Sequence, residues 1–383
     1  MQDYFLRENV FSGPNVQTQL TMVGSILQMV VAIFMLIVNV LHTFLNFKTL
    51  LVSGIVLASS GLILSGFCTS VWQLYFSYSL CTGIGCAILF WASYRILPQW
   101  FVKYRSTAFG VQTSMFPLVG LVLPFAMIKI NNSLGPSWTF RIMGLVFLTL
   151  GILAFPLIKE RQPPEQHQKK TDKSKNRLKR ITEIIDVSLF KNVNLMIWIA
   201  AGPLQVYATY IITTFLPAYA TSIGLSDVQG AAVVATLSGT GLIGRLANGF
   251  LADKFGNLNT FIVCMVIASL TVYLNWMFAH SFATLVVFAV LNGLVYGCYV
   301  VTKPAIIIAI VGMEKYPAAI ALQMLTLVVS VFGSLAAGYI ESVNHNSSSG
   351  KEPYFYCKII AGSGYVGCCI LALILKLRMK QSV

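Results

Sequence analysis

An all-α integral membrane protein with about eleven spanning helices is the fold that this 383-residue sequence predicts. Three observations lead there. Hydrophobic residues make up 57% of the chain and charged residues only 10%, well below the share of about a quarter that clothes a water-soluble domain. Apolar runs long enough to cross hydrocarbon, which takes about 20 residues, recur along almost the whole length. The basic residues gather between those runs. The net charge of +14, from 26 Lys and Arg against 12 Asp and Glu, would suggest nucleic acid in a soluble protein. Placed between apolar runs, the same charges read as topology signals on cytoplasmic loops. The expected surroundings are a lipid bilayer, and no nucleic-acid partner is expected.

The runs lie near 20–42, 49–67, 71–96, 107–129 and 138–157, and then near 190–216, 228–251, 258–278, 282–306, 316–340 and 356–377. They are too long for strands and do not alternate. This divides the chain into an N-terminal bundle of five spans over 1–158, a basic linker over 159–190 and a C-terminal bundle of six spans over 191–383. The linker region is rich in Lys and Arg and contains Pro163 and Pro164, as expected of a solvated cytoplasmic tether. Lys103 with Arg105, Lys254, Lys303 with Lys315, and Arg378 with Lys380 fall on the same side of the predicted topology. The opposite loops carry N-x-S sequons at Asn131 and Asn346, which suits an outward face. The first 18 residues lack the basic-then-apolar pattern of a signal peptide, and the count of spans puts Met1 outside.

Cysteines 68, 81, 86, 264, 298, 357, 368 and 369 lie mostly inside apolar runs and show no CxxC spacing, so neither a zinc site nor a disulfide framework is indicated. The four histidines show no metal-ligand spacing. No metal and no cofactor are expected. A polytopic membrane enzyme would need an intramembrane set such as His with Asp or Cys with His; none occurs at workable spacing, so an enzyme is not predicted.

An internal repeat organises the runs. Sliding the second half back by 210 positions brings Gly293 onto Gly83, Lys315 onto Arg105 and Ala318 onto Ala108, and lays 228–251 on 18–41 and 316–340 on 106–130. The run 190–216 then falls before Met1, so the repeat predicts six plus six helices with the first one missing. Duplicated halves of this kind are typical of transporters.

Two local patterns carry the chemistry. Gly239-Thr240-Gly241-Leu242-Ile243-Gly244 matches the dinucleotide fingerprint, but that motif needs a strand before it and a turn that exposes backbone amides. Inside an apolar helical run, close packing through small residues is the reading. The second pattern is Gly244-Arg245, then Gly249, Asp253, Phe255, Gly256 and Asn259. An arginine inside a span is costly and usually functional. Arg245 and Asp253 are eight residues apart, about two helical turns, so both can lie on one face. Asp253, at a helix end, can accept from a neighbouring helix N-terminus or an arginine, and Gly256 allows a sharp turn. A structural latch on the inward side is the favoured role for Asp253. For Arg245, a latch and a ligand role stand side by side.

These residues, with Trp100-Phe101-x-Lys103-x-Arg105-x2-Ala108-x-Gly110 and Trp138-Thr139-Phe140-Arg141, make the chain resemble a major facilitator transporter, and more narrowly the monocarboxylate-transporter-like branch with its fungal permease homologues. The resemblance covers nearly the whole chain. It implies a major facilitator fold of twelve helices, here without the first, and with it the loss of the opening signature and of a lysine that family members use for the anionic substrate. It departs elsewhere too. The acid often found four residues before the arginine is Gly241 here. Phe34-Met35 stand where Gly-Arg would be in the first-half copy, with Thr43, Leu45 and Asn46 in place of Asp, Phe and Gly. Met115 replaces a small residue.

The resemblance implies that the run beginning near 190 lines a substrate cavity, which makes Tyr207 and Tyr210 candidate substrate contacts alongside Arg245 and the buried polar Asn292, with Gln205 read as packing. The expected inward-side latch consists of Asp253, Gly249, Gly256, Lys103 and Arg105. Arg95 and Lys303 read as interfacial anchors that snorkel. None of the twelve acids lies in the middle of a span, so proton coupling finds no support in them. The expected function is transport of a small organic anion, monocarboxylate-like in class, by alternating access, at the plasma membrane or an internal one. The alternatives are a non-transporting truncated remnant or sensor, or a carrier of a different small organic solute.

Overall fold

In the computed structural model the described residues are 16–161, 188–326, 328 and 354–381; the body of the linker and Asn346 lie outside them. Among the described residues there is no strand, and ten helices are long and apolar enough to cross a membrane. In chain order we label them α1 (Val16–Leu41), α2 (Phe47–Ser65), α3 (Val71–Trp100), α4 (Arg105–Leu134) and α5 (Pro136–Ala154). After them come α6 (Val193–Ser222), α7 (Asp227–Phe255), α8 (Asn257–Phe278), then α9 (Phe282–Tyr296) and α10 (Cys298–Leu325), which together make one of the ten, and α11 (Phe355–Gln381). The all-α membrane architecture expected from composition is what the chain adopts.

One of the ten is too long for a single crossing. The runs expected at 282–306 and 316–340 are joined through α9 and α10 into one apolar stretch, Phe282–Leu325, of 44 residues. At 1.5 Å per residue that is about 66 Å, more than twice the hydrocarbon thickness of about 30 Å. It cannot cross once and stay straight. The break sits at Gly312, with φ 76° and ψ 172°, a conformation that a side chain disfavours. The stretch therefore supplies one crossing before Gly312 and the beginning of another after it.

Helix starts follow local chemistry. Ser226 and Ser281 form capping boxes with Gln229 and Thr284 at the starts of α7 and α9, and Asn192 accepts from the Leu195 amide at the start of α6. Residues Tyr75–Thr82 of α3 and Thr271–Asn275 of α8 wind as π-helix.

The chain groups into two compact units. The first holds α1–α3, α4 from Leu123 onward, α5 and residues 320–325; the second holds residues 101–122, α6–α9, α10 up to Ala319, and α11. Within the first unit α1 packs on α3 and α2 on α5; within the second α7 packs on α9 and α8 on α11. Because the offset of 210 lays α7 on α1 and α9 on α3, the α7–α9 contact repeats the α1–α3 contact.

In the first unit, the chain leaving α5 is tied back to the end of α3. Arg95 Nε donates to Glu160 Oε1 at 2.7 Å, and His42 Nε2 lies 3.9 Å from Glu160 Oε2. The Trp100 indole N–H donates to the Lys159 carbonyl at 2.9 Å, and the Arg161 amide donates to Gln99 Oε1 at 3.1 Å. Arg95 was expected to snorkel into the interface; instead it is ion-paired, and its side chain is only 14% exposed. Removing one partner of so shielded a pair leaves the other charge uncompensated, at a cost of about 3 kcal/mol. Glu160→Gln is therefore expected to lower the melting temperature of the purified protein by roughly 5 °C or more. A thiol-reactive dye reads this well, because five of the eight free cysteines are buried until the protein unfolds. An unchanged melting curve would show that the pair contributes nothing.

Two further residues sit deeper than their sequence context suggests. Asn131 was read as part of a sequon that suits an outward face. It is 5% exposed, and its side-chain oxygen accepts from the Thr139 hydroxyl at 2.5 Å, so the folded chain does not offer it for modification. Lys303 was read as an anchor reaching the interface. It is 1% exposed, because its face of α10 turns inward: its ammonium lies 5.6 Å from the ring centre of Tyr299, which packs against Trp198 and Phe261.

Candidate functional site

The pattern that runs from Gly244 to Asn259 meets residues 105–110 of the stretch Trp100–Gly110 in the second unit, where α7 lies between α4 and α9. Glycines make both contacts close. A Cβ at Gly110 would stand 2.7 Å from the Arg245 carbonyl oxygen, and one at Gly249 would stand 2.7 Å from the Ser106 carbonyl oxygen and 2.9 Å from Thr107 Cα. On the other side, Gly244 lies against the backbone of Leu294, and Asn248 donates to the Leu294 carbonyl at 2.8 Å. Thr240 donates to the Ala289 carbonyl at 3.2 Å. The G-x-G-x-x-G run thus lies within α7 and serves helix packing, as read from its apolar context.

At the end of α7, the Asp253 carboxylate receives the first turn of α4. The Ser106 amide donates to Oδ1 at 3.0 Å, the Thr107 amide to Oδ2 at 2.7 Å and the Thr107 hydroxyl to Oδ2 at 2.7 Å. The Ser106 hydroxyl donates to Asn257 Oδ1. The first N–H groups of a helix have no intrahelical acceptor, and the helix dipole favours an anion there, so Asp253 answers both needs of α4 from another helix. Gly256, with φ 94°, closes α7 and turns the chain into α8. Lys103 and Arg105 were expected in the same latch. Neither is ion-paired with Asp253, whose partners are the amides and hydroxyl of α4; Lys103 is exposed and lies 5.5 Å from the ring centre of Tyr104.

Two turns before Asp253, Arg245 is half-buried in mid-helix. Its Nη1 donates to the Thr113 carbonyl at 2.5 Å, and its guanidinium carbon lies 5.5 Å from the ring centre of Tyr296. Tyr296 fills the space that Gly241 leaves, for a Cβ at 241 would stand 2.7 Å from the phenol. Where the resemblance leads one to look for an acid, the chain has a glycine on α7 and an aromatic ring from α9.

A chain of polar contacts continues from Tyr296. Gln205 Nε2 donates to the Tyr296 carbonyl at 2.9 Å and to Thr209 Oγ1 at 3.1 Å, and Thr209 Oγ1 and the Tyr365 hydroxyl are 3.2 Å apart. Gln205 is 3% exposed, consistent with its reading as a packing residue. The other expected substrate contacts sit differently. Tyr207 gives its hydroxyl to the Ile360 carbonyl of α11 at 2.9 Å, and Asn292, 1% exposed, donates to the Thr271 hydroxyl at 3.4 Å. Both join helices to one another here. Tyr210 is half-buried on α6.

Sequence reasoning passed over Lys358. It is fully buried in α11, with its ammonium 4.0 Å from the ring centre of Tyr219. A lysine two residues inside the expected span 356–377 is the signal that could have found it. Tyr296 was also missed, because a tyrosine in an apolar run looks like core. Among the described residues no cluster of His, Cys, Asp and Glu could hold a metal ion.

A sequence profile described as the Major Facilitator Superfamily matches residues 15–272 and 233–378. The chain is similar to the MFS transporter asaE of Aspergillus flavus, 27% identical over 320 residues that cover 84% of this chain and 69% of that one. It is similar to monocarboxylate transporter 4 of Gallus gallus, 26% identical over 321 residues that cover 82% and 65% respectively. The chain thus spans about two thirds of the length of these relatives. Among solved structures, the E. coli fucose:proton symporter FucP superposes with a TM-score of 0.70 at 14% identity, covering 94% of this chain and 91% of that one.

Proposed function

Because the chain belongs to the Major Facilitator Superfamily, we propose that it carries a small organic anion of the monocarboxylate class across a membrane by alternating access, with Arg245 as the group that meets the carboxylate. The observation that carries this reading is the guanidinium inside the span α7, held over an aromatic ring. A charge inside a span is retained when it serves a substrate or ion path, and a guanidinium meets a carboxylate best, through two parallel N–H donors. The similarity to monocarboxylate transporter 4 supports the substrate class. The hydroxyl of Tyr207 and the carboxamide of Asn292 are engaged between helices, so we do not assign them to the substrate. The contact of α4 with α7, held at Asp253 and brought close at Gly249, is proposed as the latch that opens and closes during the cycle.

The test is Arg245→Lys, with uptake of radiolabelled lactate by proteoliposomes as the readout. Lysine keeps the charge and loses the fork. We expect the KM for lactate to rise about tenfold or more, the loss of one charged hydrogen bond, with the melting temperature little changed. An unchanged KM would rule out Arg245 as the anion contact.

A further inference from the structure

We propose that Tyr296 is the positioning residue for Arg245: its ring sets the direction of the guanidinium, and Gln205 in turn fixes the backbone that carries the ring. This rests on the reading of Arg245 as the anion contact and goes a step deeper into the same site.

Three independent features of the structure converge on this pair. The first is the contact itself, with the guanidinium carbon 5.5 Å from the Tyr296 ring centre, inside the range where a cation is drawn to an aromatic face. The second is the pair of glycines that make room for it. Gly241 lies one turn before Arg245 on α7, where any side chain would meet the phenol at 2.7 Å. Gly297 follows Tyr296, and a Cβ there would stand 2.6 Å from Arg245 Cγ and 2.8 Å from Nε. One glycine admits the ring and the other admits the arginine side chain, so the two spaces are complementary and neither can be filled without moving Tyr296 or Arg245. The third is the tether behind the ring: the Tyr296 carbonyl accepts from Gln205 Nε2 at 2.9 Å, and that buried carboxamide is held in turn by Thr209.

An arginine side chain has about 2 kcal/mol of rotamer entropy to lose. A guanidinium that must present its edge to a carboxylate gains most when its plane is set beforehand. The Thr113 carbonyl holds one end of the group through Nη1. A single hydrogen bond lets the plane rotate, whereas a ring lying over the group restrains that rotation. Tyr296 therefore acts through Arg245, and its contribution falls on the affinity for the anion.

The experiment compares Tyr296→Leu, Tyr296→Phe and Gly297→Ala with the unaltered protein by two readouts. The first needs no substrate: the rate at which phenylglyoxal modifies Arg245 in the purified protein, followed by mass spectrometry with the exposed Arg378 as internal reference. The second is the KM and maximal rate of lactate uptake. Tyr296→Leu removes the π-face, so modification of Arg245 is expected to speed up, and the KM to rise about fivefold, with the maximal rate kept. Tyr296→Phe keeps the face and is expected to behave as the unaltered protein in both. Gly297→Ala keeps the ring but pushes the arginine side chain, and should raise the KM as well; it also keeps the proposal open to refutation should Tyr296→Leu fail to fold. If the Leu variant leaves the modification rate unchanged, or the Phe variant alters it as much as Leu does, the positioning role is overturned. If the unaltered protein takes up no lactate, the substrate reading fails, and the modification rates alone still decide whether Tyr296 holds Arg245.

Discussion

Gly249→Leu is expected to abolish the close contact of α4 with α7 and with it most transport. The four added carbons have nowhere to go, since even the first of them would stand 2.7 Å from the Ser106 carbonyl oxygen and 2.9 Å from Thr107 Cα. Those are backbone atoms of the neighbouring helix, and they cannot swing aside as a side chain can. Overpacking of this kind costs about 1–3 kcal/mol or more when the surroundings must shift. The added bulk leaves α7 itself intact, so the expected result is a folded protein in which α4 is displaced. Lactate uptake should fall by about thirtyfold, the rate equivalent of a penalty in the middle of that range. The dye-monitored melting curve should remain a single transition, because the buried cysteines belong to α8, α10 and α11 and not to α4 or α7. Uptake at the normal rate would show that the close approach of these two helices has no part in the cycle.

How far the site could be read beforehand depends on where each partner lies in the chain. Arg245 and Asp253 stood out because a charge in an apolar run is conspicuous, and their spacing fixes them on one face of one helix. That Asp253 would accept from the N-terminus of a neighbouring helix was also within reach, since a carboxylate at a helix end has few other uses. Which helix it would be was not, because Ser106 and Thr107 lie almost 150 positions away and nothing local marks them as its donors. Lys103 and Arg105 were drawn into the latch by their charge, yet Asp253 is met by the Ser106 and Thr107 amides and the Thr107 hydroxyl, and a sequence does not display which backbone amides a carboxylate will meet.

The same limit explains the other differences. Tyr296 in its apolar run is indistinguishable from a core tyrosine until Gly241 and Gly297 are seen to frame it. Glu160 is one acid in a basic stretch until the fold brings Arg95 to it. Asn131 satisfies a three-residue pattern, but its burial against Thr139 is a property of two helix ends together. Periodicity and composition report what a residue's own helix requires. They gave the all-α membrane fold and the positions of the apolar runs, and kept apart the two runs that the folded chain joins through α9 and α10, with Gly312 as the break between them.

Asp253→Ala carries the second large effect, and its readout can be placed at individual amides. In the protein as it stands, the Ser106 and Thr107 amides reach the two oxygens of one carboxylate, at 3.0 and 2.7 Å. Hydrogen bonds to a charged group contribute about 1.5–3 kcal/mol each, and the negative charge at the start of α4 adds a smaller share through the helix dipole. Without the carboxylate, both N–H groups lose their acceptor, and the first turn of α4 has no other within its own helix. Hydrogen exchange at these two amides is therefore expected to speed up by roughly thirtyfold, which corresponds to the loss of about 2 kcal/mol. Exchange along the middle of α7 should hardly change, because its glycine contacts with α9 remain. If the carboxylate latches α4 to α7, lactate uptake should change in maximal rate more than in KM, as a shift between conformational states does when the anion contact itself is untouched. Asp253→Asn separates charge from geometry. It keeps one acceptor oxygen and loses the charge, so its exchange rates should fall between those of the alanine variant and the unaltered protein. Exchange at Ser106 and Thr107 that stays slow in the alanine variant would mean that something other than Asp253 holds the start of α4, and the latch would have to be sought elsewhere.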